Sequence, residues 1–104
     1  MINIKNGRKT IGKTNNFKGL NKVAKELGRY EINIDIKGLR GVKSVYNWTN
    51  YPQIIITDKH GYTFYGNISL NEETSQIFVI TKYDTKPFNT LENALNYFVE
   101  VFKQ

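Results

Sequence analysis

Between Tyr30 and Lys37 the chain alternates without a break: Tyr30, Ile32, Ile34 and Ile36 against Glu31, Asn33, Asp35 and Lys37. Strand side chains point to opposite faces in turn, so this segment predicts a half-buried strand with one wet face. Further strands are expected from Val42 to Trp48, Gln53 to Thr57, Tyr62 to Ile68 and Gln76 to Tyr83. The breaks between them are short and rich in turn formers: Gly38-Leu39-Arg40-Gly41, Asn50-Tyr51-Pro52, Asp58-Lys59-His60-Gly61 and Asn71-Glu72-Glu73-Thr74. Connections this short join antiparallel neighbours.

Two segments carry a helical period instead. Phe17, Leu20, Val23, Ala24 and Leu27 fall on one helical face, with Asn15 or Asn16 in position to cap and Gly28 to stop the helix. Leu91, Ala94, Leu95, Phe98, Val101 and Phe102 form a second apolar face, for which Asn89 is the expected cap and Glu92 the capping-box partner. Before the first helix, Ile2 and Ile4 alternate with polar residues up to Asn6-Gly7, a hairpin signal followed by a basic run. Residues 1–14 are expected to form a short hairpin or a mobile basic arm. The pattern predicts one α+β domain over residues 1–104: an antiparallel sheet of about five strands flanked by an N-terminal and a C-terminal helix.

Composition narrows the chemistry. The chain has no cysteine and one histidine, His60, which excludes disulfides, thiolate chemistry and multi-histidine metal sites. No apolar run has the length of a membrane span, and no leader-like apolar stretch is apparent, so a cytoplasmic protein is expected. The 13 Asn, 12 Ile and 12 Lys against 3 Arg and 2 Ala fit a low-GC gene, and we expect a bacterial phage or another mobile element as its source.

Charge adds an asymmetry. The formal charge is +6, yet residues 1–45 carry a net +8 and residues 46–104 a net −2. Lys18, Lys22, Lys25 and Arg29 follow helical spacing opposite the apolar face of the first helix, with Glu26 the one acid among them. Arg8, Lys9 and Lys13 precede them, and Arg40 and Lys43 follow. Like charges in such a stripe cost stability unless something negative answers them. These nine cations are the expected phosphate contacts of a small nucleic-acid-binding protein, for DNA or RNA, without catalytic activity or cofactor. The alternative is an inhibitor-like interaction protein whose cationic face docks on an acidic surface of a host protein. Unpaired edge strands leave room for a dimer.

Three motifs bear on this reading. Gly7-Arg8-Lys9-Thr10-Ile11-Gly12-Lys13-Thr14 satisfies G-x-x-x-x-G-K-[ST], the pattern of a nucleotide phosphate loop with Lys13 on the terminal phosphates and Thr14 on Mg²⁺. The polar strand before it and the short chain argue against the parallel sheet that such a loop requires. Asp35-Ile36-Lys37 matches the D-x-K element of metal nucleases but lacks an upstream acid at suitable spacing. Tyr46, Trp48 and Tyr51 lie near Arg40 and Lys43 in sequence, where exposed rings would stack on bases. By alternation, however, Tyr46 and Trp48 are expected in the core.

Overall fold

The computed structural model describes residues 2–49 and 51–103. Eight strands form one antiparallel sheet: β1 (Ile2–Asn6), β2 (Lys9–Thr14), β3 (Glu31–Ile36), β4 (Val42–Asn47), β5 (Gln53–Asp58), β6 (Phe64–Asn71), β7 (Gln76–Ile80) and β8 (Thr85–Phe88). Helix α1 (Phe17–Glu26) lies between β2 and β3 in the chain, and α2 (Leu91–Lys103) follows β8. The strand order across the sheet is β2-β1-β3-β4-β5-β6-β7-β8.

The expected five strands between two flanking helices are thus overturned. Residues 2–14 form the hairpin and not the arm, because β1 pairs with β3, Ile2 opposite Ile36 and Ile4 opposite Ile34, so the hairpin completes one end of the sheet. The β1–β2 turn consists of Gly7 and Arg8, with Asn6 opposite Lys9. Gly7 alone of the two has a positive φ, +64°, the pattern of a type II′ turn with glycine in first place. At the other end, β8 adds an eighth strand that hydrophobic alternation does not reveal. Pro87 is tolerated there because an edge strand needs no donor on its free side. The fourth expected strand begins at Phe64 instead of Tyr62, and the fifth ends at Ile80. Asn50, expected to break the chain, lies outside the described residues.

Both helices pack on the same face. Ile2, Ile4, Ile32, Ile34, Ile36, Tyr46, Ile54, Ile56, Ile68, Ile77 and Val79 form one core with Phe17, Leu20 and Ala24 of α1 and Leu91, Ala94 and Phe98 of α2. Burying this apolar area is the main stabilising term. Gly66 lets α2 approach closely: a Cβ there would lie 2.7 Å from the Ile80 carbonyl oxygen and 2.8 Å from Phe98 Cε2.

The helix ends follow from local chemistry. Asn16 Oδ1 accepts a hydrogen bond from Gly19 N at 2.8 Å, fixing the start of α1. At its other end Gly28 N donates to the Lys25 carbonyl and Arg29 N to the Ala24 carbonyl, a Schellman closure. Helix α2 is capped by Thr90, one residue beyond the expected Asn89, with Asn93 N donating to Thr90 Oγ1 at 3.2 Å. Asn89 serves instead as the connection from β8.

Candidate functional site

Strand register places the polar partners of the core residues on the uncovered face. Lys13 is opposite Asn3, and Asn3 is opposite Asp35. Lys5 is opposite Asn33, and Asn33 is opposite Val45. Lys43 is opposite Thr57. Two depressions open among these residues. One is lined by Lys5, Lys43 and Lys59 with Asn33 and Asp35, and the other by Lys13, Lys37 and Arg40 with Asn3 and Asp35. Asp35 therefore joins them into one cationic area.

The topology gathers more at the neighbouring edge. With strands β3 to β8 in sequential order, the β3–β4, β5–β6 and β7–β8 connections all emerge at one edge of the sheet. They bring Lys37 and Arg40, then Lys59, His60 and Tyr62, then Lys82 and Tyr83. The acids on these turns are engaged locally. Asp58 accepts backbone hydrogen bonds from His60, Tyr62 and Thr63 at 2.9–3.2 Å, which shape the turn. Burial alone would raise its pKa, but the hydrogen bonds from Tyr62, Thr63, Gly61 and His60 outweigh that effect and hold it below the ordinary carboxylate range. Asp84 faces the Tyr97 hydroxyl at 3.3 Å, and burial followed by this carboxylate raises the Tyr97 pKa. Lys5, Lys13, Lys37, Arg40, Lys43, Lys59 and Lys82 outnumber Asp35, Asp58 and Asp84 in this region, leaving it positive.

The nine cations singled out by sequence do not form one surface. Lys13, Arg40 and Lys43 belong to the region just described. Lys18, Lys22 and Lys25 are exposed on the side of α1 turned away from the sheet, and Arg29 follows beyond its end. Arg8 and Lys9 lie at the hairpin tip, on the edge opposite the β3–β4 turn. Lys25 is partly committed: its Nζ sits 5.7 Å from the centre of the Trp48 ring. Lys5, Lys37 and Lys59 were missed, although each is a cation beside a turn or on the wet face of a strand.

The aromatic expectations divide in the same way. Tyr46 is fully buried, its ring 6.1 Å from Phe17. Burial first, and the charge of Glu72 second, push its hydroxyl up to about 12. Trp48 is half-buried and pinned: its Nε1 donates to the Arg29 carbonyl at 3.0 Å and its ring packs 5.5 Å from Tyr30. Tyr51, exposed, lies on the β4–β5 connection, at the far edge from Arg40 and Lys43. Three further rings, Tyr62, Phe64 and Tyr83, are exposed at the turn edge by 89%, 58% and 77%, and the Lys82 Nζ sits 5.1 Å from the centre of the Tyr83 ring.

Residues 7–14 hold no phosphate-loop geometry. Lys9–Thr14 is a strand paired to β1, Gly12 sits opposite Ile4 within it, and α1 begins at Phe17 instead of at Lys13. Among the described residues no three His, Cys, Asp or Glu side chains cluster as metal ligands. His60 is exposed in its turn, 6.1 Å from the Tyr62 ring. Among the described residues no helix is long and apolar enough to cross a membrane. Comparison of the chain with known protein families, curated proteins and solved structures finds no match.

Proposed function

We propose that this protein binds nucleic acid through the uncovered sheet face and its adjoining turn edge, without carrying out chemistry on it. The observation that carries the reading is the pair of depressions joined at Asp35, one lined by Lys5, Lys43 and Lys59 and the other by Lys13, Lys37 and Arg40. Six flexible ammonium and guanidinium groups around shallow, wet hollows suit a chain of phosphates. A deep apolar pocket for a small molecule is a different arrangement. The amides of Asn3 and Asn33 beside them supply neutral hydrogen bonds of the kind that phosphate and sugar oxygens accept.

The contact area relocates the surface expected from sequence. Lys13, Arg40 and Lys43 stay in it. The α1 stripe of Lys18, Lys22, Lys25 and Arg29 becomes a solvated outer face, as do Arg8 and Lys9 at the hairpin tip. The test is titration of labelled single-stranded and duplex oligonucleotides at two salt concentrations. Each phosphate neutralised releases counterions, so affinity falls steeply as salt rises, with a log–log slope of roughly −0.7 to −0.9 per contact. Absence of binding at low salt rejects the proposal.

A second reading has its own support. Beyond the lysines, Val45 and Ile55 lie opposite each other on the uncovered face, with Phe78 and Ile80 further along it. An apolar strip beside cations also suits an acidic protein surface. Nuclease-treated host lysate separates the two: a stoichiometric protein that remains bound favours this second reading.

A further inference from the structure

The exposed rings along the turn edge lie where the cations are. Tyr62 is in the same turn as Lys59, and Tyr83 follows Lys82. Phe64 is opposite Thr57, which on its other side is opposite Lys43. Phe64 and Tyr83 border a single depression with Lys82, Phe98 and Phe102, so the β5–β6 and β7–β8 ends form one aromatic recess at the turn edge, on the side of the sheet that α2 covers. Large rings left this open cost solvation and add nothing to the core. The conformation of these turns is held by other groups, chiefly the Asp58 carboxylate and Thr81.

We infer that the ligand is single-stranded nucleic acid, its phosphates on Lys37, Arg40 and Lys59 and its unpaired bases stacked on Tyr62, Phe64 and Tyr83. This deepens the proposed function and rests on it. Charge complementarity selects a polyanion, and the rings select one whose bases are free. In a duplex the base faces are already stacked on each other, so a ring can reach them only by unstacking a step. From β4 to β8 the edge runs four strand spacings, about 19 Å, long enough for several nucleotides of an extended strand. Stacking reads the π-face common to all bases, so the binding is tolerant of sequence.

The test compares three labelled probes of one length, roughly 12 nucleotides, within the range such surfaces occupy: a homopyrimidine strand, an abasic strand with the same phosphates, and a duplex. The pyrimidine arm is run with oligothymidylate and with oligouridylate. At least one base-bearing single strand is expected to bind more than tenfold tighter than the abasic strand and the duplex. Tyr62→Ala, Phe64→Ala and Tyr83→Ala should each weaken that strand roughly 5- to 100-fold, by the loss of one stacked base, and leave the abasic strand unchanged. Phe64→Leu keeps apolar bulk without the ring and guards against a folding defect, with the same loss expected. Equal binding of all three probes, or equal loss on the abasic strand in the ring variants, overturns the inference while leaving phosphate binding intact. Failure of every probe to bind at low salt rejects the proposed function itself, and the inference with it.

Discussion

Lys43 and Phe64 flank Thr57 from opposite sides, so a cation and an exposed ring occupy one cross-strand row. Two strand spacings, about 10 Å, separate their backbones. The β6 register shifts between Ile56 and Thr57, where Tyr65 is the extra residue. The bulge thereby brings Phe64 level with Thr57, which plain alternation would place beside Tyr65. Tyr65 packs instead against Phe102 at a ring distance of 5.3 Å, tying the bulge to α2.

The close approach of α2 at Gly66 makes Gly66→Ala costly. The added methyl group would meet a carbonyl oxygen and an aromatic edge, both inside van der Waals contact. Overpacking of this kind costs about 1–3 kcal/mol. Urea unfolding should show a lower midpoint with an unchanged slope.

The cap of α2 distinguishes two adjacent residues of the same capping class. Thr90→Ala should cost about 1 kcal/mol, because Asn93 N loses its acceptor. Asn89→Ala should stay within about 0.5 kcal/mol, the usual range for a surface change. A reversed order in thermal melts would move the cap back to Asn89.

Much of this architecture is legible along the chain, and the remainder fails for physical reasons. Asn16, Gly28 and the 3.6-residue spacing mark α1, because capping and amphipathicity are local. The alternation of Tyr30–Lys37 marks β3 for the same reason. β8 escapes because its four residues include Pro87 and its Lys86 points toward α2, the Nζ 4.9 Å from the Tyr97 ring centre, where alternation would lead one to expect an apolar residue. Docking of the hairpin on β3 is a long-range pairing that residue order does not encode locally. The site suffers most from this. Lys37, Lys59 and Tyr83 become neighbours along an edge only once the strand order is known, whereas the α1 stripe advertises itself by spacing alone.

Asp58 should make stability pH-dependent on the acid side. Its pKa in the folded protein lies below the unfolded value of about 3.9. The stabilisation is therefore complete above that value and is lost as pH falls through the folded pKa. Thermal midpoints measured from pH 6 down to pH 2 should fall in this window for the native chain. Asp58→Asn should begin lower and fall less steeply, since an amide supplies a weaker acceptor and does not titrate.

Tyr46 sets the alkaline limit. Its folded pKa of about 12 exceeds the ordinary 10. Stability is full below pH 10 and declines as pH rises through 12, because the buried phenolate is favoured only after unfolding. Among the described residues the hydroxyl finds no partner, so Tyr46→Phe should be neutral or stabilising by about 1 kcal/mol at pH 7 and should flatten the alkaline decline. Denaturant midpoints at pH 7, 10 and 11 provide the check.

The central claim is that the turn edge and uncovered face, and not the stripe on α1, meet the polyanion. Its most direct test is the affinity of one labelled single strand, at low salt, for two charge-removal variants. The first carries Lys37→Ala, Arg40→Ala, Lys43→Ala and Lys59→Ala; the second carries Lys18→Ala, Lys22→Ala and Lys25→Ala. The account predicts that the first loses most of its affinity and shows a shallower salt slope, by roughly 0.7 for each contact removed, while the second binds nearly as the native chain does. Retained binding by the first together with lost binding by the second would contradict it.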